Sequence, residues 1–277
     1  MVDLASEFTS MDAGIPAALG QTTMANSMPV VFASDQTALQ VNLVSNDVPD
    51  FIMGDVTLAV IAQAIVRRTA YTEQTTNAQR SIVSSSALDT AIGTGARTVL
   101  ITYFTATFTG PFTETVTLAG IVPVNTVATN ICYIESIKVL TAGSTGSNAG
   151  IITLKAAIAG GGATIGTMNA LDNQTFWGHH YVAAGKVCNI SGISVSHNGT
   201  TVGSGGVFVV KAKDLAIANA VDRQVTDFIR LYGQASTFAR DYNSSIRING
   251  PARFIVYVTP ETSSSTIYRA AVDFYQP

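Results

Sequence analysis

A mostly β architecture is predicted: an antiparallel β-sandwich or jelly-roll with an extended N-terminal arm and one short helix. Three observations lead there. From residue 98 onward, runs rich in β-branched and aromatic residues recur at short intervals. Gly, Pro and Asn turn residues separate those runs. No long amphipathic stretch supports the strand–helix–strand alternation of an α/β protein.

Residues 1–50 lack any sustained apolar period and contain Pro16, Pro29 and Pro49. Such a segment cannot assemble a core of its own, so it reads as an arm that orders only against something else. Its one extended apolar patch is Met28-Pro29-Val30-Val31-Phe32. Residues 51–97 form a connecting segment. Within it, Asp55 can cap a short helix over 55–68, because Leu58, Ile61, Ala62 and Ile65 fall at helical spacing. Val56, Val60 and Ile61 also suit a strand.

The β domain is expected over 98–277. Thr98–Thr109 opens it and stops at Gly110-Pro111. Strands over 114–119 and 130–140 follow, then the turn-forming run 143–150. Ile152, Leu154, Ala156 and Ile158 alternate with Thr153 and Lys155, which predicts one buried and one wet face. Asn198-Gly199 is the strongest short hairpin signal. Val207–Lys213 places Phe208 and Val210 inward. The final run, 267–275, puts Tyr268, Ala270, Val272 and Phe274 on one face.

Composition narrows the function classes. Of the 277 residues, 47% are hydrophobic and only 12% charged, about half the charged share of an ordinary globular domain. Either Ser, Thr and Asn wet the surface or other subunits cover much of it. Fifteen basic residues against eighteen acidic ones argue against a nucleic-acid reader, which displaces phosphate counterions with Lys and Arg. The apolar run 56–66 is too short for a bilayer span of roughly 20 residues, so no membrane insertion is expected, and the first residues do not look like a secretory signal. Cys132 and Cys188 read as small buried hydrophobes of a chain made in a reducing cytoplasm.

Candidate chemistry is sparse. His179 and His180 are adjacent, so in a strand they point to opposite faces and cannot share a metal with His197. No metal or other cofactor is expected. Phe176, Trp177 and Tyr181 suit either an aromatic platform for a sugar or an anchor in a core or interface. The glycine runs lack a phosphate-binding frame, and no nucleophile elbow is present. Carboxylates are scattered, with no close pair of the kind a glycosidase uses. The expectation is a protein that is not an enzyme.

One segment carries a resemblance. Ala25-Asn26-Ser27-Met28-Pro29-Val30-Val31-Phe32-Ala33-Ser34-Asp35-Gln36-Thr37-Ala38-Leu39-Gln40-Val41 resembles a stretch found near the start of many tailed-bacteriophage structural proteins, roughly S-x-P-V-V-x-A-S-D-Q. It departs from that pattern at Phe32 and at Leu39-Gln40. Asp172–Trp177 and His197–Val202 also look like stretches of phage virion proteins. The resemblance implies a virion component assembled in the bacterial cytoplasm, placed in the neck or tail or anchoring a fibre. A capsid cement protein and a glycan-binding adhesin of the host surface are the alternatives. The residues of the motif agree physically. Pro29 favours extended backbone, so Val30, Val31 and Phe32 can add as an edge strand to a neighbour's sheet, while Ser34, Asp35 and Gln36 form a capped turn. The expected partners are copies of the chain itself, as a trimer or ring, and other virion proteins.

Overall fold

The computed structural model describes residues 50–59, 62–200, 204–233, 235–261 and 265–276. All regular elements among them are strands, joined antiparallel, as the turn-punctuated β-branched runs predict. The expected docking arm, with Pro29–Phe32 and Ser34–Gln36, lies outside the described residues.

Two hydrophobic cores organise the chain. The first is built by β3 (Ser81–Ser84), β4 (Ala96–Phe104), β5 (Phe112–Thr117), β6 (Val124–Asn125), β7 (Tyr133–Ala142), β8 (Ile152–Lys155) and β9 (Thr164–Met168). These strands form one sheet in the order β6-β3-β8-β9 and another in the order β5-β4-β7. Ile82, Ile152, Leu154 and Met168 of one meet Val99, Ile101, Ile134 and Ile137 of the other in a single buried cluster. The alternation in β8 holds for Ile152 and Leu154. The strand then ends at Lys155, and Ile158 is exposed in the turn beyond it.

The second core takes strands from both ends of the described chain. Its first sheet runs β1 (Asp50–Leu58), β17 (Thr266–Tyr275), β11 (Val187–His197) and β15 (Ser236–Asn249). Its other sheet runs β10 (His179–Val182), β16 (Ala252–Pro260), β12 (Gly205–Asp214) and β13 (Arg223–Gln224). To this second sheet β14 (Ile229–Tyr232) adds along β12 and β2 (Ala64–Ile65) along β16. Tyr268, Ala270, Val272 and Phe274 all point into this core with Ile190, Ile193, Phe208, Phe254 and Val258, so the predicted alternation of the last strand is observed. The β3–β9 sandwich is therefore inserted in the chain between β2 and β10.

Two local expectations are corrected. The described residues of the 55–68 segment are not helical. Residues up to Leu58 belong to β1, which pairs with β17 from Asp50↔Phe274 to Leu58↔Thr266, and Ala64–Ile65 is β2. The supposed connector at 51–97 thus contributes β1, β2 and β3 to three sheets. A non-local ladder overrides the weak helical period, as tertiary context does for short amphipathic runs. Asn198-Gly199 is likewise not a two-residue hairpin, because β11 and β12 lie in different sheets. Neither residue has positive φ. Instead the Asn198 side chain accepts from the Ile267 N–H at 2.8 Å, extending the register of β17.

Candidate functional site

The chemically capable side chains converge on β10, the strand that joins the two cores. Its four residues are all buried. Strand alternation sends His179 and Tyr181 into the first core and His180 and Val182 toward the second, as the adjacency of the two histidines predicts. His179 sits among rings, 4.4 Å from Tyr71 and 5.9 Å from Trp177 between centroids. Its Nε2 donates to the Ile134 carbonyl at 3.0 Å. Burial pushes its pKa down to about 4, against the opposing pull of Glu135. His180 packs on Phe254 and Phe274 and meets Glu135 at 2.9 Å through Nδ1. Burial works against charge on Glu135, but His180 and the Tyr181 N–H outweigh it and hold the carboxyl below the usual range.

A charged network lies on the far side of Tyr181. Its hydroxyl donates to Glu73 at 3.1 Å. Arg253, from β16, spans Glu73 at 2.5 Å and Asp222 at 3.0 Å, and the Tyr257 hydroxyl donates to Asp222 at 2.8 Å. Burial drives the Tyr181 pKa well above normal and that of Tyr257 up to about 12. These phenols stay neutral, and both carboxylates are occupied by one guanidinium. The arrangement is that of a structural clamp between strands, with no free carboxylate pair facing solvent.

Trp177 and Tyr181, candidates for a sugar platform, are core residues. Trp177 is 3% exposed, lies over Gly166 and donates its indole N–H to the Thr167 carbonyl at 3.1 Å. Phe176 alone faces outward. The guanidinium of Arg68 stacks on its ring at 4.6 Å and bridges Asp55 at 2.7 Å and Asp172 at 2.6 Å. Together Phe176 and Arg68 wall a shallow groove of about 390 Å³ over the outer face of the β1-β17-β11-β15 sheet, with a floor that includes Met53, Ser194, Ala239 and Ala271. The expected aromatic patch is therefore divided between a core and a groove wall.

A pairing that sequence reasoning missed is His197 with Ser236, Nε2 to Oγ at 2.9 Å. They are 39 residues apart and meet because β11 pairs with β15 at His197↔Ser236. The pair is not set up as nucleophile and base. The Gly199 N–H donates to His197 Nδ1 at 3.2 Å, which leaves the proton of the neutral ring on Nε2, pointing at the serine. A base needs that nitrogen free to accept. Among the described residues, no group of three or more His, Cys, Asp or Glu side chains is placed to hold a metal ion.

No known protein family matches the chain, and no curated protein does. Among solved structures, it shows slight similarity to the infectious bursal disease virus Gx strain, at 8% identity and a TM-score of 0.17, covering 82% of this chain and 80% of that one. The Gt strain gives the same figures, and the VP2 subviral particle of that virus gives 10% identity and a TM-score of 0.16 over the same coverage. At such TM-scores the likeness decides neither fold nor function.

Proposed function

We propose that this chain is a non-enzymatic structural component of a bacteriophage particle, oligomeric as a trimer or ring and attached to neighbouring virion proteins by its N-terminal arm. The observation that carries the proposal is the surface of the β body. Sixteen large hydrophobic side chains stand exposed among the described residues, in a chain that is only 12% charged. A surface of that kind calls for cover by other subunits. The polar groups on β10 support the same reading, because they are spent on joining the two cores. The open edge of β15 supports it too. Among the described strands it pairs only with β11, and an unpaired edge can take an added strand.

Within the particle, the resemblance of residues 25–41 favours the neck, the tail or a fibre anchor over a cement role on the capsid. A glycan-binding role has less support, since Trp177 and Tyr181 are committed to the core. The test is removal of residues 1–45 and assembly of the truncated protein into particles. The expected outcome is a folded β body, with unchanged circular dichroism, that no longer incorporates. Incorporation at full occupancy would show that the arm is not the attachment device.

A further inference from the structure

Three loops at one end of the β3–β9 sandwich make a largely aliphatic surface, with the Arg97 guanidinium at its border donating to the Gly93 carbonyl at 3.1 Å. They are the connections 85–95, 118–123 and 143–151, and hydrogen bonds knit them together. Gly120 N–H donates to the Asp89 carbonyl at 2.7 Å, Gly143 N–H to the Gly95 carbonyl at 2.8 Å, and Ser85 N–H to the Ile151 carbonyl at 2.9 Å. Their one ionisable side chain is Asp89, which is fully buried. Its carboxylate ties the loops from inside, accepting from the Ala96, Ala149 and Gly150 N–H groups at 2.7, 2.8 and 2.9 Å and from the Ser84 hydroxyl at 2.5 Å. The surface that remains presents five large aliphatic side chains: Leu88, Ile92, Ile121, Val122 and Ile151, of which Ile92 is 92% exposed.

We propose that copies of this chain meet about a rotation axis through this aliphatic loop face. The inference rests on the reading of the chain as a self-associating structural protein. Three arguments select a second copy as the occupant. With Arg97 turned to the Gly93 carbonyl and the Asp89 carboxylate buried, the face carries no pattern of opposed charges for selecting an unlike partner, whereas the same face on another copy matches it in polarity. Together the five side chains offer on the order of 500 Å² of apolar surface per copy, about the apolar share of one side of a standard interface. The chemistry of other occupants is missing: the loops contain no Trp, Tyr, Phe, Lys or Arg. Such residues anchor proteins at a lipid surface, and aromatic rings stack on sugars. Loops pinned from below by a satisfied carboxylate also present their aliphatic side chains on a preformed backbone, which lowers the ordering cost of association.

The experiment uses the full-length chain. Light scattering at micromolar concentration is expected to give an oligomer, and the double variant Ile92→Glu/Ile121→Glu to give a monomer with unchanged circular dichroism. A second readout does not depend on that variant folding. Cys132 and Cys188 are buried, so Ile92→Cys introduces the one readily accessible thiol, and a short bismaleimide should link copies of it. Ile217→Cys, also exposed but on the other sandwich, should stay uncross-linked. A wild-type oligomer whose mass survives the double glutamate substitution, with no cross-link at position 92, overturns the loop face and leaves the structural role standing. A wild-type monomer overturns both. A monomer that floats with neutral phosphatidylcholine vesicles, and loses this with the glutamates, would make the face a lipid contact and overturn the proposal.

Discussion

Single residues in this protein are fixed by which neighbours remain after burial, and His179 is the sharpest case. Enclosed by Tyr71, Trp177 and Tyr181, it has its pKa pushed down to about 4 by burial. In the unfolded chain an ordinary histidine titrates near 6.5. Between those values the unfolded chain binds a proton that the folded chain excludes, so stability is complete above about pH 6.5 and falls as pH drops toward 4. Glu135, held below its usual range, acts in the same direction at the acid end. Denaturant titrations across this window should show a loss of a few kcal/mol, and His179→Gln should flatten the slope. An equal slope in the variant would assign the acid sensitivity to other groups. Gly199 illustrates a residue whose role has a different cause from the one its sequence suggests. It follows Asn198 as in a tight turn, yet its φ is not positive; a Cβ there would meet the Ser204 side chain instead.

Strands of this molecule are held in place by a short crossing segment that no periodicity marks. Residues 66–68 run between β16 and the connection that leads into β10: Val66 N–H donates to the Val256 carbonyl of β16 and Arg68 N–H to the Phe176 carbonyl, both at 2.9 Å. Two glycines make the passage possible. A Cβ on Gly54 of β1 or on Gly178 would run into the Val66 carbonyl, and Gly178 also has φ +67°. Gly54→Ala and Gly178→Ala should each lower stability by about 2 kcal/mol or more, from backbone collision and, at Gly178, left-handed strain. Thermal melts of the two variants beside Gly185→Ala check this. Gly185 has φ +73° but open space around it, so it isolates the conformational cost. Gly54→Ala melting no lower than wild type would show that the 66–68 crossing is not tightly packed.

At the scale of the whole β body, two cores share one strand. Tyr181 belongs to the first and Val182 to the second, and Arg253 of β16 clamps Glu73, which lies before β3. The second core is discontinuous in the chain, because β1 and β2 precede the β3–β9 sandwich while β10–β17 follow it, and the first, continuous from Tyr71 to Ala183, takes Tyr181 from β10, a strand of the second. Unfolding of the β body should therefore be a single transition, with calorimetric and van't Hoff enthalpies in agreement for truncated protein lacking residues 1–45. Two resolved calorimetric transitions would instead make the inserted sandwich an independent folding unit.

Much of this was legible in the residues. The β class followed from strand-forming runs punctuated by turn residues, the buried face of β17 from the alternation of Tyr268, Ala270, Val272 and Phe274, and the opposed directions of His179 and His180 from adjacency alone. These are local consequences of the two-residue period of a strand. The tertiary structure decided the rest. Val56 and Leu58 fit a helix or a strand until β17, more than 200 residues away, supplies the partner ladder. Asn198-Gly199 reads as a hairpin until β11 and β12 prove to belong to different sheets. Trp177 and Tyr181 could face a ligand or a core, and only the passage of Gly166 and Tyr71 beside them settles that they are interior. The division into two cores was hidden for the same reason. Periodicity records which face of an element is buried, but which distant segment buries it is set by pairings that close long loops, and those leave no local mark.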